Sequence, residues 1–216
     1  MNATPQPIRV QIVDDQPVVR FGLRSILESC HDIEVVAESD SGECAAQDYM
    51  AHQPDIVIMD IVMPGMGGLE AMRHIFAKNP HAKIIVLSVH DNPDMIRRAM
   101  QSHAMGYLSK GCSSKRLIEA IRQVAQGKKY IDTALTTRMA EEYMFGASEP
   151  LQKLTKREFE IFLMLADGQS VVGIARTLHL SPNTVRNHQS SIMHKLNIHN
   201  KIELLHIAIQ AGLLDD

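Results

Sequence analysis

Tryptophan is absent from the 216 residues, and four tyrosines and five phenylalanines supply all the aromatic rings. Any core is therefore aliphatic. A hydrophobic content of 45 % supports one, with thirteen scattered methionines reading as adaptable packing rather than a ligand groove. Cysteine is scarce as well. Cys30, Cys44 and Cys112 are odd in number and share no metal-like spacing, which argues for buried or free thiols in a reducing compartment. None of the eleven histidines pairs with another at i,i+4, so a helical metal site has little support. The opening stretch MNATPQPIRVQIVDD lacks the basic-then-apolar plan of a signal peptide. No apolar run approaches the ~20 residues that cross a bilayer. A soluble, cytoplasmic protein is expected, without internal repeats or low-complexity tracts.

What is present divides into two halves. From Ile8 to about Gly127, short apolar runs (IRVQIV, IEVVAE, DIVIMD, KIIVLSV, GYLS) alternate with helical patterns. Val19, Leu23, Ile26, Leu27 and Cys30 share one helix face, as do Leu117, Ile121 and Val124. Five strands alternating with five helices predict an α/β fold, a doubly wound parallel sheet over residues 1–127. Residues 128–152 weaken in periodicity, contain FGASEP, and read as a linker with one short helix around Leu135 to Met144. Residues 153–216 carry helical patterns only, predicting a separate all-α domain.

In an open parallel sheet, chemistry collects at the carboxyl ends of the strands. Asp14 and Asp15 end the first predicted strand, Asp60 the third and Ser88 the fourth, and Lys110 follows the fifth. Clustered carboxylates raise one another's pKa unless a cation joins them, and hard oxygen donors that leave room for water and phosphate suit Mg²⁺. A lysine and a hydroxyl nearby bind the oxygens of a transferred phosphoryl group. Asp60 is the natural nucleophile. Gly65, Gly67 and Gly68 after it let the backbone approach the metal without a Cβ clash. A single acid at a strand end is more often a solvated loop charge; five suitable groups at four strand ends make that account poor.

The segments VDD, IMDIVMPGMGGLEAM, VLSVH and GYLSKG together resemble the receiver domain of bacterial two-component response regulators, over about the first 125 residues. The resemblance implies that Asp60 accepts phosphate from a sensor histidine kinase. It also implies that Asp14, Asp15, Asp60 and the Val62 carbonyl hold Mg²⁺, that Lys110 binds phosphate, and that Ser88 and Tyr107 form a switch pair in which Tyr107 turns inward. Gln16 stands where relatives often carry His, and Val89 is bulkier than the residue usual there, narrowing access to Asp60. Two enzymes are disfavoured. A haloacid-dehalogenase-type phosphatase needs a second Asp two residues after the nucleophile, where this chain has Val62. A dinucleotide enzyme needs a glycine fingerprint after the first strand, which DDQPVVRFG lacks. Asp60 is expected to be a switch, not a turnover site.

In the second half, LTKREFE sets Thr155 as N-cap with Glu158 three residues on, a capping box. Phe159, Phe162, Leu165 and Ala166 form the first helix face, and Gly168 ends that helix. Val171, Ile174, Ala175 and Leu178 define a second; Ser181 and Pro182 open a third that buries Val185, Ile192 and Leu196; Ile202, Leu205, Ala208 and Ile209 mark a fourth. Two short helices joined by HLSP read as a helix-turn-helix. From Gly168 to Ile202 there is no Asp or Glu, while Arg176, Arg186, Lys195 and Lys201 fall there, as a polyanion-facing surface requires.

This half is similar to the LuxR/NarL-type DNA-binding domain over residues 152–211. That likeness implies that Arg186, Asn187 and Ser190 face the major groove of double-stranded DNA while Thr184, His188 and Lys195 touch phosphates. Gly173 departs from the usual polar helix former and predicts a softer helix. The whole chain resembles a NarL/FixJ-type response regulator, in the GacA/UvrY/LetA-like subgroup of global regulators. It is expected to bind promoter operators as a homodimer once phosphorylated, with the unphosphorylated receiver restraining the DNA-binding half. The alternative is a phosphorylation-switched adaptor whose helical domain contacts protein or RNA.

Overall fold

Each apolar run of the N-terminal half becomes a strand: β1 (Ile8–Val13), β2 (Ile33–Ser39), β3 (Ile56–Met59), β4 (Ile84–Ser88) and β5 (Gly106–Ser109). The helical patterns become α1 (Pro17–Glu28), α2 (Gly42–His52), α3 (Gly68–Lys78), α4 (Pro93–Gln101) and α5 (Ser114–Ala125). These assignments come from a computed structural model that describes residues 6–89, 93–137, 150–211 and 213–214. All strands pair in parallel, in the order β2-β1-β3-β4-β5-β6. The order reverses at β1, so β1 and β3 flank a topological switch point, where crevices open at strand ends.

The sixth strand, β6 (Tyr130–Ile131), corrects the expectation of five. It lies within the stretch read as linker. The Tyr130 N–H donates to the Met105 carbonyl at 2.9 Å and the Asp132 N–H to the Tyr107 carbonyl at 3.2 Å. Two residues cannot show an alternating pattern, so only the exposed edge of β5 defines this strand. Residues 133–137 are helical. The rest of the helix expected around Leu135 to Met144, and the FGASE segment, lie outside the described residues.

The sheet buries both faces, as its β-branched runs require. On one face Val10, Ile12, Ile56, Ile58, Ile85 and Leu87 meet Leu23 and Leu27 of α1 and Leu117, Ile121 and Val124 of α5. Alternate positions point the other way, where Gln11 is fully buried. Its Nε2 donates to the Ser39 hydroxyl and the Ala45 carbonyl, both at 3.0 Å, and so ties α2 to the sheet.

By contact the chain forms two compact units, one of residues 1–89 and 99–136, the other of residues 90–98 and 137–216. In the second, a 3₁₀ turn (Pro150–Lys153) precedes α6 (Lys156–Ala166), α7 (Val171–Thr177), α8 (Pro182–Leu196) and α9 (Lys201–Gln210). The start signals act as their chemistry demands. Thr155 and Glu158 complete the capping box, the Ser181 hydroxyl accepts the Thr184 N–H, and the Ser170 hydroxyl accepts the Gly173 N–H. Gly168, at φ +83°, takes the left-handed turn that stops α6. Phe159, Phe162, Ile174, Val185 and Ile192 are fully buried and form the centre of this unit.

Candidate functional site

β1 and β3 deliver three carboxylates to one place. Oxygens of Asp14, Asp15 and Asp60 lie within 4.8 Å of one another. Asp14 and Asp60 are 1 % and 4 % exposed. Lys110, entering from the end of β5, places Nζ 2.7 Å from Asp14 Oδ2 and 2.7 Å from Asp60 Oδ2. Its own N–H donates to the Ser88 carbonyl at 2.8 Å, so β4 fixes the lysine's starting point. The turn after β1 is fixed by the Gln16 N–H on Asp14 Oδ1 and by Arg20 Nη1 on the Asp14 carbonyl, at 2.9 and 2.7 Å. Sequence reasoning missed Arg20, which reads there as an ordinary helix-surface charge.

Charge is not balanced in this cluster. Burial pushes the Asp60 carboxyl above its ordinary range and Asp14 adds to the push, while Lys110 and the Val62 N–H oppose it. Burial alone would lower the Lys110 ammonium, but hydrogen bonds to Asp14 and Asp60 win and hold it protonated above its usual range. One ammonium faces three carboxylates. Asp15 Oδ1 is buried and, among the described residues, lacks a hydrogen-bond partner. An orphaned hard oxygen beside two other carboxylates is the donor set that a small divalent cation takes.

The loop after Asp60 shows why it needs glycine. A Cβ at Gly68 would sit 2.0 Å from the Asp60 carbonyl oxygen, and Gly65 has φ +78°. The Val62 N–H lies 3.2 Å from Asp60 Oδ1, which fixes the carboxylate's orientation. Ser88 and Tyr107 are both fully buried, whereas Val89 next to Ser88 is 59 % exposed. The expected inward turn of Tyr107 thus finds its ring already covered.

Helix α8 sorts its residues by face, at about 100° per residue. Val185, Ile192 and Leu196 are buried on the inner face. Arg186, Asn187 and Ser190 are exposed on the outer one. Thr184, His188 and Lys195 are half-buried along one flank. Asn183 Oδ1 accepts from Arg186 Nη1 at 2.8 Å, holding the guanidinium near the start of the helix. Lys195 is less free than its sequence position suggests, because its Nζ lies 2.5 Å from Glu158 Oε2. Ser191 donates to Glu158 Oε1 at 2.6 Å and the Thr155 N–H to Oε2 at 2.8 Å. Burial would raise this carboxyl, but the three donors outweigh it and lower it to about 2. The capping box had exposed Glu158 as a cap, not as the counter-charge of a residue on α8.

Family models match both halves in this order: a response regulator receiver domain over residues 10–122, and the bacterial regulatory proteins of the luxR family over residues 152–208. This chain belongs to the LuxR-type two-component response regulators. The response regulator UvrY of Escherichia coli O6:H1 strain CFT073 is 42 % identical over 208 residues, covering 95 % of each chain. The response regulator GacA of Pseudomonas aeruginosa is 35 % identical over 210 residues, covering 96 % of this chain and 98 % of GacA. RcsB of Salmonella enterica serovar Typhimurium, solved on the promoter P1flhDC with the phosphomimetic BeF3⁻, superposes with a TM-score of 0.75. It shares 26 % identity over 94 % of this chain and 98 % of that one. The regulator thus joins a receiver to a DNA-binding transcription domain, an arrangement of switches and not of enzymes. None of its described helices is long and apolar enough to cross a membrane.

Proposed function

We propose that Asp60 is the phosphoacceptor of this regulator, charged by a sensor histidine kinase in the cytoplasm. The observation that carries the reading is Asp60 itself: a buried carboxylate at the end of β3, 2.7 Å from Lys110 Nζ and grouped with Asp14 and Asp15. An Asp60 oxygen attacks the phosphorus, the P–N bond to the kinase histidine breaks, and that imidazole keeps the electron pair and takes a proton. Lys110 faces the incoming phosphoryl oxygens. Mg²⁺ would be held by Asp14, Asp15, Asp60 and the Val62 carbonyl, and would supply countercharge for the oxygens of the transferred group. Val18 and Phe21, 83 % and 72 % exposed on the helix that follows the acid pair, offer an apolar surface to the kinase.

The added negative charge acts on Ser88, whose hydroxyl bonds the new oxygens, and on Tyr107 behind it. Residues 1–127 with the β6 extension form the receiver, 153–216 the DNA-binding domain, and the chain between them the linker. On α8, Arg186, Asn187 and Ser190 read base edges, and Thr184, His188 and Lys195 face phosphates. Ile202 and Leu205, 79 % and 40 % exposed on α9, pair two copies on a twofold operator. The test uses acetyl phosphate with Mg²⁺ and intact-mass detection. One phosphoryl group should appear on the wild-type chain and none on Asp60→Asn; equal labelling of both would remove Asp60 from the role.

A further inference from the structure

The loop after Asp60 makes one contact that its role as acceptor does not use. Residues 61–68 close through the Gly68 N–H on the Ile61 carbonyl, at 2.8 Å. The outer turn of that loop leans instead on the start of α2. A Cβ at Gly42 would sit 2.3 Å from the Met66 carbonyl oxygen, so the two backbones meet where only glycine fits. Beside it, Glu43 Oε1 accepts the Met66 N–H at 3.0 Å. A Cβ on Gly65 would sit 3.0 Å from the same oxygen. Met63 and Met66 pack inward at 5 % and 4 % exposure, which leaves the backbone N–H of Met66 aimed at α2.

We propose that Glu43 is a positioning residue for the metal and phosphoryl site, acting through the loop from Ile61 to Gly68. The proposal rests on the phosphoacceptor reading above. Val62 lies between two anchors, Asp60 at the end of β3 and Met66 on the Glu43 carboxylate. With both anchors set, few backbone conformations are open to the Val62 carbonyl, and a cation that needs this oxygen finds it already placed. Three glycines (Gly65, Gly67 and Gly68) give the segment more freedom than other residues would. Without the Glu43 anchor, that freedom must be lost when the metal binds, and affinity falls accordingly. The competing account is that Glu43 serves only its own helix, as an acid in the first turn of α2. Under that account charge matters; under ours the acceptor oxygen matters.

Glu43→Gln keeps an acceptor and removes the charge, while Glu43→Ala removes both. Mg²⁺ affinity of the full chain is measured by titration calorimetry, and the rate of labelling by acetyl phosphate is followed from limiting to saturating Mg²⁺. Glu43→Ala should weaken Mg²⁺ binding by about threefold to tenfold, the size of one lost hydrogen bond. It should slow labelling in proportion at limiting Mg²⁺ and leave the rate at saturating Mg²⁺ near wild type. Glu43→Gln should stay within about twofold of wild type in both measurements, because its amide oxygen still accepts. Wild-type affinity in Glu43→Ala overturns the proposal, and so does a Gln variant as weak as the Ala variant. A wild-type chain that neither binds Mg²⁺ nor takes label overturns the acceptor reading instead.

Discussion

Replacing Glu158 by Gln removes one negative charge from the junction of α6 and α8 while keeping the side chain's shape. The amide can still accept from Lys195 and the Thr155 N–H through its oxygen and donate to Ser191 through its nitrogen, so every neighbour keeps a partner. What is lost is the negative charge, which Lys195, Ser191 and Thr155 together stabilise. The size of that stabilisation follows from the carboxyl's displacement, from 4.5 to about 2, which corresponds to about 3 kcal/mol of preference for the ionised form in the folded unit. Lys195 is 32 % exposed and partly hydrated, which makes that figure an upper bound. A loss of about 2–3 kcal/mol at pH 7 is expected.

The sign of its pH dependence follows from the lowered value. A folded-state pKa below the unfolded one stabilises fully above about 4.5 and loses that stabilisation as pH falls toward about 2. The difference between wild type and Glu158→Gln should therefore hold from pH 7 to 5 and shrink to about half by pH 3. Two compact units need not unfold together, so a single melting curve is the wrong assay. Urea-dependent hydrogen exchange at the Val185 and Ile192 amides reads this unit alone. A gap under about 0.5 kcal/mol at pH 7, or one that ignores pH, would refute the assignment of Glu158 as the ionised partner of Lys195.

Three further outcomes are expected. Gly68→Ala puts a Cβ against the Asp60 backbone, and should cost about 1–3 kcal/mol by urea-dependent hydrogen exchange at the β3 amides and slow acetyl phosphate labelling. Arg186→Ala should relax preference at one operator position by about 1–3 kcal/mol in competition binding; uniform weakening across sequences would mean that α8 docks in another orientation. Lys195→Ala should weaken all DNA sequences alike, with a change in salt slope below about one, because Glu158 already neutralises most of that charge.

Where the sequence succeeded, the signal was local. A strand of alternating or wholly apolar residues reports its own direction, so Asp14, Asp15, Asp60 and Ser88 fall at one edge from the sequence alone. Caps behave likewise, since Thr155 and Ser181 bond N–H groups only three residues ahead. The failures share the opposite property. β6 exists because β5 has a free edge, and nothing within Tyr130–Ile131 states that. Gln11, a polar residue inside the apolar run IRVQIV, is buried because Ser39 and Ala45, far along the chain, meet its amide nitrogen.

The same contrast explains why Glu158 was legible only as a cap and Glu43 not at all. Each occupies the first turn of a helix, and the helix N-terminus is sufficient reason to find an acid there. That explanation conceals a second task, because one side chain with two oxygens can satisfy its own helix and still reach another element. Glu158 does both: Oε2 receives the Thr155 N–H and the Lys195 ammonium together. Glu43 reaches across to Met66. The loop after Asp60 and helix α8 are thus each anchored by an acid at the head of a neighbouring helix. Neutralising either acid should change the geometry of the functional element it holds, and not only the helix it begins.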